Sequence, residues 1–260
     1  MRIFRITREE LPRYQAQLEA LEQRSVYPLG QDSFRLSHGQ DYFAFFERMG
    51  EVEYWATEDE GKLVAVGCGV LRANPARWYG SDLKVHPDYR GRHLPLRMVN
   101  RLWFRRYLRC GRGYGVAMDP ADGREPPTLR LLRHFKFLPM VKVVPLVLYS
   151  EDAEGMARAR PILEAHRGPL HFVSLLGIKD LVLESTQAPL PLLHVGYGPR
   201  VDRRTFIEPQ AAHAHMWCTP RGDALHAALE GAGFRVSATA SILHHRLGDF
   251  DWGTLTTSEI

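Results

Sequence analysis

The stretch Asp82-Leu-Lys-Val-His-Pro-Asp-Tyr-Arg-Gly-Arg-His-Leu-Pro95 holds the residues best arranged for chemistry in this chain. Leu83 and Val85 read as a strand, His86 to Arg92 as a sharp turn, and the residues from there to about Cys110 as a helix. Such a junction points free backbone N–H groups, and the positive end of a helix dipole, at whatever anion sits there. Pro-Asp-Tyr-Arg-Gly is also a sound turn sequence without any ligand. Two residues alter the donor set. Pro95 has no N–H to give, although it suits a first helical turn. His93 adds bulk where glycine would permit close phosphate approach, and offers an imidazole donor instead. Along the helix, Arg97, Arg101, Arg105 and Arg109 recur every four residues, opposite an apolar stripe of Leu96, Val99, Trp103, Tyr107 and Cys110. Four like charges in a row read as a solvated face or as a docking ridge for an acidic partner. His213 and His215, or the adjacent His244 and His245, lack Cys or carboxylate partners at metal-site spacing, so no metal is expected.

The elements that position these residues are legible in outline. Arg2 to Ile6 reads as a strand, and Thr7-Arg-Glu-Glu10 has a capping-box pattern before Leu11, Tyr14, Leu18 and Leu21 at helical spacing. A short second helix is expected from His38 to Met49, carrying Tyr42, Phe45 and Phe46. Strands over 53–57 and 63–71 flank the turn Glu58-Asp-Glu-Gly61, and 78–85 leads into the opening stretch. A strand over 114–118, a helix over 128–135 and a strand over 140–149 follow. The polar stretch 151–160 reads as a linker or connecting helix. Beyond it lies an apparent repeat. Ala117-Met-Asp-Pro120, Leu129-Arg-Leu-Leu132 and Phe135-Lys-Phe137 have counterparts in His215-Met-Trp-Cys-Thr-Pro220, Leu225-His-Ala-Ala-Leu229 and Gly233-Phe234.

Val-His-Pro-Asp-Tyr-Arg-Gly-Arg92 resembles the coenzyme A pyrophosphate loop of the GNAT acyltransferase superfamily. That pattern is Arg or Gln, two residues, Gly, one residue, then Gly or Ala. Arg90 takes the first position, while His93 and Pro95 replace the two small residues. The order of elements over residues 1–150 is similar to that of a GNAT domain as well. The resemblance implies an α/β fold with a GNAT-like mixed central sheet flanked by helices, and a second, smaller GNAT-like α/β unit. The expected divisions are 1–150, a connector at 151–160, and 161–260.

The resemblance also implies an N-acyltransferase that uses acetyl-CoA, or another acyl-CoA, to modify a small-molecule amine by direct attack. Arg90, Gly91, Arg92, His93 and Leu94 would hold the pyrophosphate. Leu83 and Val85 would present backbone groups to the pantetheine and thioester, in a gap between 78–85 and 114–118. Direct transfer needs a base and oxyanion donors but no enzyme nucleophile. Asp82 is the first candidate for base, with Glu53 and Tyr79 behind it. The family's tyrosine acid would fall near Leu132, and the helix there has no tyrosine. An acyl carrier protein docked on Arg97, Arg101, Arg105 and Arg109 is the alternative donor, and a non-catalytic relative is the alternative class.

Composition agrees with this frame. The chain has 260 residues, 45% hydrophobic and 25% charged, with a net charge of +4, which is ordinary for a globular protein. No apolar run reaches the roughly 18–20 residues of a membrane helix, and the first residues lack a signal-peptide core. Cys68, Cys110 and Cys218 are too few and scattered for a disulfide framework, so a cytoplasmic setting with reduced thiols is expected. Neither zinc-finger spacing nor a basic tail points to nucleic acid.

Overall fold

In a computed structural model of the chain, the structure describes residues 1–120, 122–133, 142–198 and 208–260, apart from the side chains at 102–105 and 132–133. Strand β1 (Arg2–Ile6) is followed by helix α1 (Leu11–Glu22), whose face of Leu11, Tyr14, Leu18 and Leu21 is buried. The Glu10 carboxylate accepts from the Thr7 backbone N–H at 3.0 Å and from its hydroxyl at 3.1 Å, so half of the capping box forms, one turn ahead of the regular helix. Next come β2 (Tyr27–Leu29), β3 (Asp32–Ser37) and the one-turn helix α2 (Ala44–Glu47). The longer helix expected from His38 shrinks to this turn. The residues before it finish a hairpin around Gly30, whose φ of 62° suits glycine.

Strands β4 (Glu51–Asp59), β5 (Lys62–Arg72) and β6 (Arg77–Val85) form an antiparallel meander, and β6 runs through the loop into α3 (Leu94–Arg109). Then follow β7 (Gly113–Met118), α4 (Pro127–Arg133), β8 (Lys142–Glu151) and α5 (Ala153–Arg167). Residues 134–135 of the expected helix and 140–141 of the expected strand lie outside the described residues. The stretch 151–160 finishes β8 and begins α5, which Asp152 caps by accepting from Gly155 N–H at 2.8 Å. The remainder is β9 (Leu170–Ser174), β10 (Asp180–Leu183), β11 (Leu192–Tyr197), β12 (Ala214–Pro220), α6 (Ala224–Gly231) and β13 (Ala238–His245).

Ten strands form one sheet in the order β1-β4-β5-β6-β7-β13-β8-β12-β11-β9, while β10, β3 and β2 make a smaller sheet. The large sheet has an internal symmetry. Two parallel pairs, β6 with β7 and β11 with β12, are each bonded over three residues. Beyond β7 lies β13, and beyond β12 lies β8, so the last strand of each half is inserted beside the other half's parallel pair. Two segments of the repeat seen in the sequence, 117–120 with 215–220 and 129–132 with 225–229, occupy these matching places, while its segment 135–137 lies outside the described residues. The fold is a mixed α/β sheet flanked by helices, with a second, smaller α/β unit.

Alternation along β8 shows how the faces are used. Leu146 and Leu148 join a core that runs along one face of the sheet and includes α1, α2 and the segment 247–260. Val147 and Tyr149 point the other way, into a core beneath α5 and α6 that also holds Trp217, Leu193 and Phe172. Leu94 and Met98 of α3 cover the remaining part of that second face with Val64 and Ala65.

Candidate functional site

The loop after β6 leaves a run of backbone donors unused. His86 begins a single 3-10 turn over Pro87–Tyr89, Arg90 is extended, and Gly91 takes φ 78°. The Arg90 N–H is spent on Pro87 O at 3.1 Å, which removes it from the expected cradle. The N–H groups of Gly91, Arg92, His93 and Leu94 have no acceptor among the described residues. A Cβ placed on Gly91 would meet nothing within 4 Å, so the loop leaves room beside its backbone. His93 caps α3 at φ 53°, a left-handed conformation that glycine would take without strain. These donors open at the positive end of a 16-residue helix, and their residue set fits a phosphate group.

Gly113 and Gly115 let β7 approach β6 closely. A Cβ on either would stand 2.9 Å from the carbonyl oxygen of Trp78 or Gly80. Pairing then ends at Gly80 with Gly115, and β7 goes on bonding only to β13. From Ser81 onward, the β7-facing backbone of β6 has no ladder partner among the described residues.

At this parting β6 has a bulge. Val66 faces Lys84 and Cys68 faces Ser81, so Asp82 and Leu83 together oppose Gly67, and Asp82 takes φ 56°. The extra residue changes which face each later side chain occupies. Val85 packs beneath α3, with Leu83 near Gly67, whereas Asp82 and Lys84 turn into the core with α1.

Asp82 there joins a buried cluster. Its carboxyl group meets the Tyr54 hydroxyl and Lys84 Nζ, and lies 3.2 and 3.3 Å from the Tyr42 hydroxyl. Glu22, at the end of α1, accepts from Tyr42 at 2.8 Å and from Lys84 at 2.7 Å, with His38 Nε2 at 3.4 Å. Burial and the neighbouring Glu22 charge push Asp82 well above the carboxylate range. Burial opposes ionisation of Glu22 too, but Lys84 and His38 outweigh it and hold that group low. Two carboxyl groups thus share one lysine, Asp82 pushed towards its neutral form and Glu22 towards its charged one. Burial lowers His38 and raises Tyr42. Burial also lowers Lys179, from the second unit, to about 8.

Sequence reasoning singled out Asp82 but missed Glu22, His38, Tyr42, Tyr54 and Lys179 as its neighbours. One signal for Glu22 was present. It follows Leu18 by four residues, so a carboxylate ends the apolar face of α1. The two other base candidates lie elsewhere. Glu53 pairs with Arg106 at 2.7 Å on the α3 side, and Tyr79 is buried, accepting from Ser81 at 3.2 Å. The helix after β7 has no tyrosine over its described residues 127–133, but Tyr42 and Tyr54 reach Asp82 from other elements.

Helix α3 does not pack by the stripe read from its sequence. Leu94 and Met98 are buried, Arg106 lies between Trp55 and Trp78, and Leu96 and Val99 are only half-buried. The row of arginines is broken as well. Arg109 binds Glu51 through two bonds of 2.8 and 2.6 Å, Arg97 and Arg101 are exposed, and the Arg105 and Trp103 side chains lie outside the described residues. Among the described residues no group of His, Cys, Asp and Glu is placed to hold a metal ion. No helix is long and apolar enough to cross a membrane.

Comparison with known proteins agrees with this geometry. Residues 16–115 match the family model of the acetyltransferase (GNAT) family. An uncharacterised protein of Acanthamoeba polyphaga mimivirus is 20% identical over 237 residues, covering 85% of this chain and 68% of that protein. A tandem GNAT protein from the clavulanic acid biosynthesis pathway superposes with a TM-score of 0.51 at 10% identity, over 96% of this chain and 99% of that one. An aminoglycoside 6'-N-acetyltransferase solved with coenzyme A is 20% identical, with a TM-score of 0.34, over 46% of this chain and 63% of its own. Residues 16–115 thus match the acetyltransferase (GNAT) family, in a chain whose fold is similar to that of a tandem GNAT protein.

Proposed function

We propose that the chain transfers an acyl group, most simply acetyl, from an acyl-coenzyme A to the amine of a small molecule. One observation carries the reading: the unpaired N–H groups of residues 91–94 and the parting of β6 from β7 adjoin the same bulged strand that presents Asp82. Gly91, Arg92, His93 and Leu94 would hold the pyrophosphate, with the Arg90 guanidinium beside it. The free backbone edge around Leu83 and Val85 would face the pantetheine arm. The acyl-coenzyme A would supply the activated acyl group.

Protonation of the leaving group falls to the chain's own side chains. Burial pushes the Asp82 carboxyl group towards its neutral form, with Tyr42, Tyr54 and Lys84 on it. In that form it would act as an acid, giving its proton to the leaving thiolate, a task the missing helix tyrosine would otherwise perform. The base role needs its ionised form, which burial disfavours, so the amine would lose its proton to solvent. The Arg109–Glu51 pair removes one member of the ridge an acyl carrier protein would use, so coenzyme A is the donor favoured.

Calorimetry with acetyl-CoA and free coenzyme A tests the reading. Both are expected to bind at micromolar concentration. Gly91→Val, which puts a branched side chain into the open space and strains a positive φ, should weaken both at least tenfold. No binding of either by the unaltered protein would overturn the proposal.

A further inference from the structure

A cavity of about 140 Å³ lies between the turn after β9 and the segment that leads into β11. Leu175, Leu181, Leu190 and Leu192, with Pro189 and Pro191, supply its apolar wall. Backbone bonds hold that wall in shape. Leu175 O accepts from the Ile178 and Lys179 N–H groups at 2.8 Å, Leu190 N–H donates to Leu181 O at 2.8 Å, and Pro191 O accepts from Ala214 N–H at 2.8 Å. The hollow is therefore preformed, and a ligand spends little on ordering it.

The polar side chains in the wall are Ser174, Lys179, Asp180, His194 and His213, and each is already engaged within the chain. Ser174 Oγ accepts from Leu176 N–H at 3.3 Å, and the Asp180 carboxylate accepts from Gly177 N–H at 3.0 and 3.1 Å. His213 Nδ1 accepts from Gln210 N–H at 3.1 Å, and His194 Nδ1 donates to the Thr257 hydroxyl at 2.9 Å. Lys179 meets Ile260 O and lies over the Phe45 ring at 4.1 Å. None of these side chains has a buried polar atom without a partner. Lys179 and Asp180 also balance in charge, so the wall calls for no ion. A water settled there would want about two to four polar partners, which these groups have already given elsewhere. An apolar occupant asks for none.

We propose that this cavity is a binding site for a compact, neutral, apolar small molecule the size of one benzene ring. A hollow of about 150 Å³ with an aliphatic lining is large enough to take benzene. Leu176 also belongs to the wall and is 72% exposed, so it stands at the mouth, where an occupant would cover it. Among the described residues no other exposed large apolar side chain borders the cavity. One leucine is far less than the roughly 800 Å² that each side of a stable protein interface covers, so the occupant is a small molecule rather than a protein. It would also touch Lys179, which lies over Phe45 of α2, so the site adjoins the contact between the two units. The proposal does not depend on acyl transfer.

Ligand-observed NMR titration of the full chain tests the proposal with two rings of one shape, benzene and pyridine. Benzene should bind saturably and pyridine at least tenfold more weakly, because its ring nitrogen finds no free donor in the wall. Leu190→Trp, which fills the hollow, should weaken benzene binding tenfold or more. Leu176→Glu, which sets a carboxylate at the mouth, should weaken it several-fold. Thermal unfolding shows which variants are folded. Should Leu190→Trp fail to fold, Leu176→Glu decides, since an exposed side chain is replaced there without touching the core. Equal binding of pyridine, undiminished benzene binding in a folded variant, or no binding of either ring would overturn the proposal.

Discussion

The two parallel pairs of the sheet occupy matching places and are lined in opposite ways. Where β6 and β7 part, the strand is bulged and turns two ionisable groups, Asp82 and Lys84, into a core that already holds Glu22 and His38. Where β11 and β12 stop pairing, at His194 with Met216, no carboxyl group or lysine of these two strands turns into the core. Thr257 donates to Met216 O at 3.0 Å and accepts from His194 Nδ1 at 2.9 Å, and the Cys218 thiol meets Leu255 O at 3.4 Å. Burial lowers His194 to about 3 and pushes Cys218 well up, so both stay uncharged at neutral pH. One topology thus serves two ends. A charge retained in a core costs stability unless it is used, and the strand that itself carries buried charge, β6, is the one that runs into the open loop.

The sharpest way to break this contrast is Asp82→Asn. Burial pushes Asp82 towards its neutral form, so asparagine is the closest replacement in shape and the variant should fold. Acyl transfer, followed by mass of the product, should fall by about 10²–10⁴-fold, the range for a lost acid–base group. An unchanged rate would remove Asp82 from the chemistry. Thr257→Val makes the matching cut at the other pair. It should cost about 1–3 kcal/mol in urea unfolding, the penalty for leaving buried partners unsatisfied, with the transfer rate unaltered. A loss of rate at unaltered stability would show that the second pair is not merely structural.

Lys179 gives the smallest effect and sharpens the link between the halves. It comes from the second unit, meets Ile260 O and stacks over Phe45 at 4.1 Å, within reach of the Glu22 and Asp82 charges. Its folded value of about 8 lies below the 10.5 of a free lysine. Between those values the unfolded chain binds more protons, so this residue makes stability rise with pH from about 8 to about 10.5. Unfolding of Lys179→Met measured across that window should show a flatter profile than the unaltered chain. An identical slope would mean that the lysine stays charged in the fold.

Much of the first half was legible before any coordinates. The period of apolar residues gave β1 and α1, and turn chemistry placed the β4–β5 hairpin and the loop, because these depend on contacts near in sequence. The hairpin around Gly30 was missed although Tyr27-Pro-Leu-Gly-Gln-Asp-Ser-Phe carries its turn signal. The aromatic run at 42–46 drew the helix assignment too far back instead. The packing face of α3 was misread because helical spacing alone does not tell which stripe meets the sheet. Leu94 and Met98 won over Leu96 and Val99, and Arg106 was taken in between two tryptophans.

By itself the sequence determined the order of elements, the donor loop at the start of α3 and the presence of Asp82 one strand-length before it. All of these follow from local backbone geometry and from residues adjacent in the chain. Tertiary structure decided the rest. The exchange of β8 and β13 between halves depends on strands that meet across nearly 100 residues. A bulge of one residue decided that Asp82 faces α1 rather than α3, which no alternation pattern states in advance. The upward push on Asp82 also comes only with the fold, because it depends on burial and on Glu22 and Tyr42 arriving from separate elements.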